Sequence, residues 1–581
     1  MCLGGRLGLR SGLVFFLWVL LIVPFAAQAK TDEAYGESIY KEGILSSGKP
    51  LTAMRVFGAL SGREAACINC HRPSGMGSVE GNIQIPPITG QALQFTGNDP
   101  IIAEMNTRAR RSLNPASAPY TLESFTNALQ HGINSQHREM LELMPRYNIS
   151  SEDIKYLQSY LNTLSSTKVP GVSRDQIHFA TVITPDVDPK KRAIFINTLE
   201  KFLVVKNAST QAGQGAGRRH MVTAGELVYG SERVWVNDLW ELKGDLSTWN
   251  AQLERLYEKT PVFAMVSGFS ASQWDPVAEF CEQKGIPSWF PIVDSAPESI
   301  NQHYSLYFNR GVLLEADVLA QQLLDNPLQK GKRVVQLYSE GSVGIAAKDH
   351  LAADLKGSGM LAESYVFSVS GVKAVLSRLE KDDILMLWLK PEDLRLLNKM
   401  PPPQTSTYLS GLMAGGENSP VSAGWKKTVQ MIYPYELPEK RQFSLSYFRQ
   451  WMQMYQLEVA DELFQSQIYF ALDSFQQIMA GMWGNINRDY LIERAESQLG
   501  FNETANLESR NLQRASIRPI GRETVITQRM SQLNGSTTVY PHMSLGPGQR
   551  FSSKGAYVVR FKNADTNDLE ALSSWLVPNR F

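Results

Sequence analysis

Five consecutive residues, Cys-Ile-Asn-Cys-His at positions 67–71, constrain this chain more than any other segment of it. Two thiols one helical turn apart can add to the two vinyl groups of one porphyrin, and the adjoining imidazole then lies beneath the iron. This C-x-x-C-H pattern is the attachment signature of c-type heme. The alternatives are a redox-active C-x-x-C pair and half of a zinc site, and no second ligand pair follows at zinc spacing. We expect one covalent heme c on Cys67 and Cys70, with His71 as an axial ligand of its iron.

The first 29 residues predict export. Arg6 and Arg10 precede an apolar run at 13–25, and Ala27-Gln28-Ala29 is a small-x-small cleavage site, as in secretory signal peptides. The alternative is an uncleaved membrane anchor, but the apolar run is shorter than the roughly 18 residues that span a bilayer. We therefore expect cleavage after Ala29 and a periplasmic location, and an exported chain is what attachment of c-type heme requires.

Composition excludes several classes of function. Lys+Arg and Asp+Glu both total 57, so the formal net charge is zero and no basic excess points to nucleic acid. A hydrophobic fraction of 43% with 20% charged residues is typical of globular domains, and the length allows about three or four structural units. The residues beyond 175 offer no nucleophile elbow, phosphate loop or metal-ligand cluster in their sequence. We expect an electron carrier or binding protein and not an enzyme.

A second heme ligand is expected downstream, where residues 139–164 carry Met-Pro-Arg-Tyr followed by a capped amphipathic helix. This segment resembles the C-terminal half of class I cytochromes c, and the resemblance extends over about residues 34–165. It implies an all-α domain at 30–165 in which Met144, the residue before the proline, is the sulfur ligand. Three rival ligands remain from the residues alone: Met76, His131 and Met140.

The proline loop Ile85-Pro86-Pro87-Ile88 also matches this family. The resemblance implies that Pro86 and Pro87 lie beside the heme and that a carbonyl of the loop accepts a hydrogen bond from the proximal imidazole. Ligation by methionine and histidine raises the reduction potential relative to two histidines and leaves no open position on the iron. The expected use is electron transfer, and peroxidase chemistry is disfavoured.

Beyond a Pro- and Gly-containing linker at 166–174, short apolar runs alternate with amphipathic ones, which is the βαβ rhythm of a doubly wound α/β fold. The pattern begins again near residue 316, which indicates two similar lobes. The predicted strands are 179–185, 233–239, 261–269, 287–293, 332–340 and 383–390. The predicted helices are 193–207, 246–259, 275–285, 316–326 and 346–359.

Residues 175–581 resemble type I periplasmic solute-binding proteins of the leucine/isoleucine/valine-binding class, on segments 262–300, 331–359 and 447–479. The resemblance implies two lobes with a ligand between them. The positions that correspond to its ligand site are Gly268, Ser270, Asp294 and Ser295 in the first lobe, and Ser339–Gly344 and Lys390–Glu392 in the second. The alternative is that these residues only cap strands. Asp294 departs from the family pattern and argues against an aliphatic amino acid as ligand.

Two functions follow from these features. The first is a periplasmic electron carrier with a redox partner such as a dehydrogenase or oxidase, in which the α/β module senses a small molecule or docks a partner. The alternative is the solute-binding component of an ABC-type transport or sensing system, with a heme that reports redox state. In that case the only membrane contact would be through a permease.

Overall fold

The computed structural model describes residues 30–80, 83–94, 118–164, 169–173, 175–216, 233–298, 302–329, 331–482, 486–515 and 538–579. The chain divides into two compact units. The small unit comprises Met1–Asn69 and Thr121–Thr163, and the large unit comprises Cys70–Tyr120 and Leu164–Phe581. The predicted signal peptide lies outside the described residues, as does part of the predicted linker. Among the described residues, no helix combines the length and apolar character needed to cross a membrane.

The small unit combines helices with a sheet, which corrects the prediction of an all-α domain at 30–165. Its helices are Asp32–Glu42, Leu122–His131 and Ser151–Thr163, with a 3-10 turn at Gly62–Ala65. Its three antiparallel strands are Thr52–Arg55, Gly58–Ser61 and Arg146–Asn148, with Thr52–Arg55 in the middle.

The strands form because the chain reverses over two residues between Arg55 and Gly58, too sharply for a helix. Alternate side chains of Thr52–Arg55 are exposed and buried, as in a strand with one covered face. The boundary between the two units in the sequence, between Asn69 and Cys70, falls within the helix Ile68–His71. A short hairpin, Ser78–Glu80 with Ile83–Ile85, and the helix Gly90–Leu93 follow in the large unit.

The first large sheet has a strand order typical of the doubly wound fold that the sequence predicts. Its parallel strands run in chain order 2-1-3-4-5, and the third and fourth are each broken into two short pieces. In chain order the strands are Gln176–Ile183, Val234–Glu241, Ala264–Val266 with Phe269–Ser270, Ser288–Trp289 with Ile292–Val293, and Ser305–Leu306.

The second large sheet repeats this order and adds two antiparallel strands at its edge. In chain order its strands are Arg333–Tyr338, Leu361–Val366, Ile384–Trp388, Ser406–Ser410, Val429–Tyr433, Tyr557–Phe561 and Leu569–Ala571. The repeated order confirms the prediction of two similar α/β lobes. The helices of the large unit beyond residue 164 are Pro189–Ala216, Trp249–Lys259, Asp275–Lys284, Val312–Asp325, Ser342–Leu355, Val369–Ser377, Pro391–Leu397, Gly411–Ala414, Ala423–Lys426, Pro438–Ser444, Ser446–Met454, Glu462–Ala480 and Arg488–Ala515.

The late helices return to the first lobe, so the chain crosses between lobes three times. The ring of Phe475, on helix Glu462–Ala480, meets the rings of Phe179, Trp235 and Trp289 of the first sheet at 5.0 to 5.4 Å between centroids. Residues 307–311, 434–437 and 538–556 connect one lobe to the other, and we call them the three crossing segments. They are held side by side by hydrogen bonds from Glu436 N–H to Val539 O (2.7 Å) and from Tyr307 N–H to Arg550 O (2.8 Å).

Candidate functional site

Both sheets change winding direction at the carboxyl end of their first strand, which is where doubly wound folds bind ligands. In the first lobe the strand Gln176–Ile183 leads into Thr184, and the neighbouring broken strand ends at Ser270. Both side chains are buried, and their hydroxyl oxygens are 3.1 Å apart. The Thr184 hydroxyl also donates to the carboxylate of Asp186. The predicted site residue Ser270 therefore lies at the winding reversal.

Gly268 lies at the same edge, but its role is packing. A Cβ on Gly268 would lie 2.3 Å from the Trp274 ring, so the position accepts no side chain. The residue before it, Ser267, has φ of 50°, and Phe290 in the next strand has φ of 45°. These two left-handed residues break the strands, and the pieces that follow, Phe269–Ser270 and Ile292–Val293, pair again in the same sheet. Gly268 therefore allows the bend, and Ser270 supplies the polar group.

Asp294 and Ser295 follow the next strand, Ile292–Val293, and both are half-buried. Loss of hydration raises the pKa of the Asp294 carboxyl. The positive charges of Lys191 and Lys390 lower this pKa, and the negative charge of Asp186 raises it further. Lys191 belongs to the first lobe and Lys390 to the second. Asp294 is therefore within electrostatic range of cations from both lobes.

In the second lobe, the strand Arg333–Tyr338 leads into Ser339. The Ser339 hydroxyl donates to the Asp393 carboxylate and accepts a 2.9 Å hydrogen bond from Lys390 N–H. The Lys390 ammonium lies 3.9 Å from the position that a Cβ on Gly341 would take. The predicted segments Ser339–Gly344 and Lys390–Glu392 therefore meet at one strand end.

Glu315 is a site residue that sequence reasoning missed. It is fully buried on helix Val312–Asp325, where its carboxyl accepts from the Ser410 hydroxyl and from Leu412 N–H at 2.8 Å. Burial raises the pKa of Glu315 to about 8. The two hydrogen bonds lower this pKa, and the charge of Asp294 raises it. This acid comes from a helix of the second lobe and not from the neighbouring strand Ser406–Ser410. An acid inside the long apolar run of that helix is the signal that could have revealed it.

Two tyrosines of the crossing segments border the same region. Tyr435 and Tyr540 are buried, their rings lie 5.6 Å apart, and both have pKa values raised by burial and by the charge of Asp294. Asp294 is therefore within electrostatic range of two crossing segments as well as of Lys390 in the second lobe. The arrangement offers carboxylates, ammonium groups, hydroxyls and aromatic rings to a small molecule.

The large unit also contains the second half of the heme motif. His71 is buried, and its Nδ1 lies 3.0 Å from the carbonyl oxygen of Pro86. Burial lowers the pKa of His71 to about 4, opposed by this hydrogen bond. A neutral imidazole that donates from Nδ1 to Pro86 keeps the lone pair of Nε2 for a metal. These residues fit the proximal side of a heme, as the sequence predicts.

The loop after His71 is held against the proline segment. Gly77 N–H donates to His71 O at 3.1 Å, and Gly77 has φ of 80°. A Cβ on Gly77 would lie 2.1 Å from Ile85 O, so only glycine fits there. Pro86 and Pro87 are both exposed, and of the two it is Pro86 whose carbonyl meets the histidine.

Cys67 and Met144 lie in the small unit, and Cys70 lies in the large unit. Cys67 is buried, whereas Cys70 and Met144 are half-buried. The Met144 carbonyl accepts a 2.5 Å hydrogen bond from the Arg146 guanidinium, which also donates to Met140 O at 3.2 Å. Of the rivals, Met140 is half-buried and His131 is exposed. The choice of Met144 as the sulfur ligand stays a prediction.

Cys281 is the cysteine of the expected mature chain that lies outside the heme motif. It is fully buried on helix Asp275–Lys284, its Sγ lies 3.4 Å from Met265 Sδ, and burial raises its pKa. A thiol in such surroundings is not a nucleophile.

No family model matches this sequence, and no curated protein sequence matches it. Solved structures do match it. A fatty acid ABC transporter substrate-binding protein from Thermomonospora curvata has 14% identity and a TM-score of 0.44, covering 71% of this chain and 95% of that chain.

A possible leucine/isoleucine/valine-binding protein from Rhodopirellula baltica SH 1 has 12% identity and a TM-score of 0.47, covering 70% and 98% of the two chains. A branched chain amino acid ABC transporter protein from Thermus thermophilus with bound valine has 9% identity and a TM-score of 0.44, with the same coverage. At such scores the likeness adds no independent argument, and the description of two α/β lobes rests on the strand order of their own sheets.

Proposed function

We propose that the large unit binds a small polar solute between its two lobes, as the solute-binding component of an ABC-type transport or sensing system. The observation that carries this proposal is the position of Asp294 within electrostatic range of Lys191 in the first lobe and Lys390 in the second. Opposed strand ends with unlike charges suit a ligand that both lobes contact at once. The three crossing segments provide the connection about which such lobes close.

The chemistry of the cleft favours a ligand with hydrogen-bond donors near Asp294 and acceptors near the two lysines. Thr184 and Ser270 add short polar groups on the first-lobe side. An aliphatic amino acid would bring its carboxylate to Asp294, at the position where the resemblance predicts small neutral groups. Repulsion between the two carboxylates would oppose binding. We therefore favour a polyol, an amine or another solute without an anionic group at that end.

The test is a thermal-shift screen of small polar metabolites, with affinities of the hits measured by calorimetry. Asp294→Asn is expected to weaken a true cleft ligand about tenfold to a hundredfold, the loss of one charge-assisted hydrogen bond. The exposed Asp382, which precedes the amino end of strand Ile384–Trp388 and so lies away from the carboxyl ends of the strands, provides the control Asp382→Asn. Equal affinities for wild type and Asp294→Asn would place the ligand elsewhere and contradict the proposal.

A second function, electron transfer through one covalent heme c on Cys67 and Cys70, is favoured by the hydrogen bond between His71 and Pro86. A heme bound there would supply a reversible one-electron couple. The chain itself would orient the imidazole through Pro86, exclude water from the buried His71 and hold its Nδ1 proton. A periplasmic dehydrogenase or oxidase would be the redox partner.

The test is production in a host competent for cytochrome c maturation, followed by a check for heme that stays attached after denaturation. Absence of covalent heme would contradict this function. Met144→Ala is expected to lower the reduction potential and change the ferric spectrum, whereas Met140→Ala, the matched control, leaves both unchanged. If Met144→Ala changed neither, the assignment of Met144 would be wrong.

A further inference from the structure

The loop that follows His71 is anchored by a buried carboxylate more than four hundred residues away in sequence. Glu493, on helix Arg488–Ala515, accepts from Ser74 N–H at 2.8 Å and from the Ser74 hydroxyl at 2.5 Å. Glu493 and Ser74 are 6% and 1% exposed. Both carboxylate oxygens therefore hold a single residue of the loop, and Ser74 is three positions after the histidine.

A second buried carboxylate holds the same loop one turn further along that helix. Glu496 is 4% exposed, and one of its oxygens pairs with the Arg72 guanidinium. Its other oxygen accepts from Arg550 at 2.8 Å and from Gly548 N–H at 3.0 Å. Glu496 thus joins two arginines, one next to the predicted iron ligand and one in a crossing segment.

Arg550 joins Glu496 to the segments that connect the two lobes. Its carbonyl accepts from Tyr307 N–H at 2.8 Å, and Ser552 N–H returns a 3.1 Å hydrogen bond to Tyr307 O. Tyr307 is fully buried and begins the first crossing segment. The residue that follows this segment is Val312, whose N–H donates to Asp294 O at 2.9 Å. Hydrogen bonds therefore link Arg72, which follows the heme motif, through Glu496 and Arg550 to Tyr307, and the covalent chain 307–312 leads on to Asp294.

These contacts are strong enough to transmit an effect. Ion pairs and charge-assisted hydrogen bonds away from water are weakly screened, so a change of charge at one end is felt by the groups that share the carboxylate. Oxidation of a heme iron bound beside His71 would add one positive charge to the region that contains Arg72. Movement of the crossing segments would change the distance between Arg550 and Glu496.

We propose that Glu496, supported by Glu493, is a positioning residue that couples the heme loop to the crossing segments, so that the redox state of the heme and the closure of the cleft influence each other. The inference rests on the proposed heme at Cys67 and Cys70. Coupling of this kind is reciprocal, because a ligand that favours one arrangement of the lobes must also favour one oxidation state.

The first test compares reduction potentials of full-length, heme-loaded protein by equilibrium redox titration. Glu496→Gln removes a negative charge and is expected to raise the potential, whereas Arg72→Gln removes a positive charge and is expected to lower it. We expect each to change the equilibrium constant for reduction severalfold, and the double variant to lie between them. A purely structural role predicts that both loosen the loop, admit water and lower the potential.

The matched control lies on the same helix. Glu503 pairs with His542 at 2.8 Å and contacts neither Arg72 nor Ser74 in the described structure, so Glu503→Gln tests the same chemical change away from the loop. Its potential should equal that of wild type. Glu496→Asp should restore most of the wild-type potential, because it keeps the charge.

The second test measures amide hydrogen exchange of 307–312 and 548–553 in the oxidised and reduced forms. We expect exchange at Tyr307 to differ between the two forms in wild type and Glu503→Gln, and to become equal in Glu496→Gln. Equal exchange in wild type, or equal potentials for wild type, Glu496→Gln and Arg72→Gln, would refute the coupling while leaving the heme function intact. Wild-type protein without covalent heme would refute the heme function and this inference with it.

Discussion

Glu315 is expected to make the stability of the protein depend on pH in the direction opposite to an ordinary ion-paired acid. Its folded-state pKa is raised from 4.5 to about 8 because its carboxyl is buried. The folded state therefore binds more protons than the unfolded state between these two pH values. Stability contributed by the neutral acid is fully present below the unfolded pKa and is lost as pH rises through the folded pKa.

The magnitude follows from the size of the shift. Each unit of pKa difference corresponds to about 1.4 kcal/mol, so ionising Glu315 costs on the order of 5 kcal/mol at most across this window. Glu315→Gln resembles the protonated form, because an amide oxygen can still accept from Leu412 N–H. The variant should remove this part of the pH dependence and be more stable than wild type near pH 8.

The assay is urea unfolding followed by tryptophan fluorescence at several pH values between about 5 and 8. Glu493 and Asp473 also have raised pKa values, but they are present in both proteins, so the difference between the proteins isolates Glu315. The exposed Glu392 in the same lobe provides the control Glu392→Gln. Parallel stability curves for wild type and Glu315→Gln would refute the reasoning.

Three further predictions concern the loop, the core and the thiol. Gly77→Ala should lower the yield of heme-loaded protein, because the added Cβ would lie 2.1 Å from Ile85 O. The ratio of heme absorbance to protein measures this yield, and an unchanged ratio would contradict the prediction. Phe475→Ala should destabilise the first lobe by about 3–5 kcal/mol in urea unfolding, since its buried ring joins three others, and a loss below 1 kcal/mol would argue against that packing. Cys281 should resist alkylation in native protein and react after denaturation, as mass spectrometry would detect.

Much of the α/β architecture could be predicted because it depends on local patterns. The predicted strand 383–390 corresponds to Ile384–Trp388, whose residues are all buried, as a continuous apolar run indicates. The predicted helix 275–285 corresponds to Asp275–Lys284, which begins with a proline in its first turn and ends at Gly285 with φ of 59°. Signals of this kind lie within a few residues of one another and need no tertiary context.

The sheet of the small unit could not be predicted from local patterns of this kind. The strand Thr52–Arg55 pairs with Gly58–Ser61, which follows it directly in a hairpin. Its other partner, Arg146–Asn148, lies far along the chain. Pairing over such a distance leaves little trace in a single sequence. The prediction of an all-α domain therefore rested on the resemblance to class I cytochromes c alone.

For function, the sequence alone determined the chemistry that each segment can offer. The spacing of Cys67, Cys70 and His71 requires no fold to be recognised, because the attachment reaction itself sets that spacing. The tertiary structure decided which groups meet. The fold buries Arg550 against Glu496, and the same carboxylate pairs with Arg72. Contacts between charges distant in sequence arise only when packing removes both from water, so they have no local signature and appear only in the folded chain.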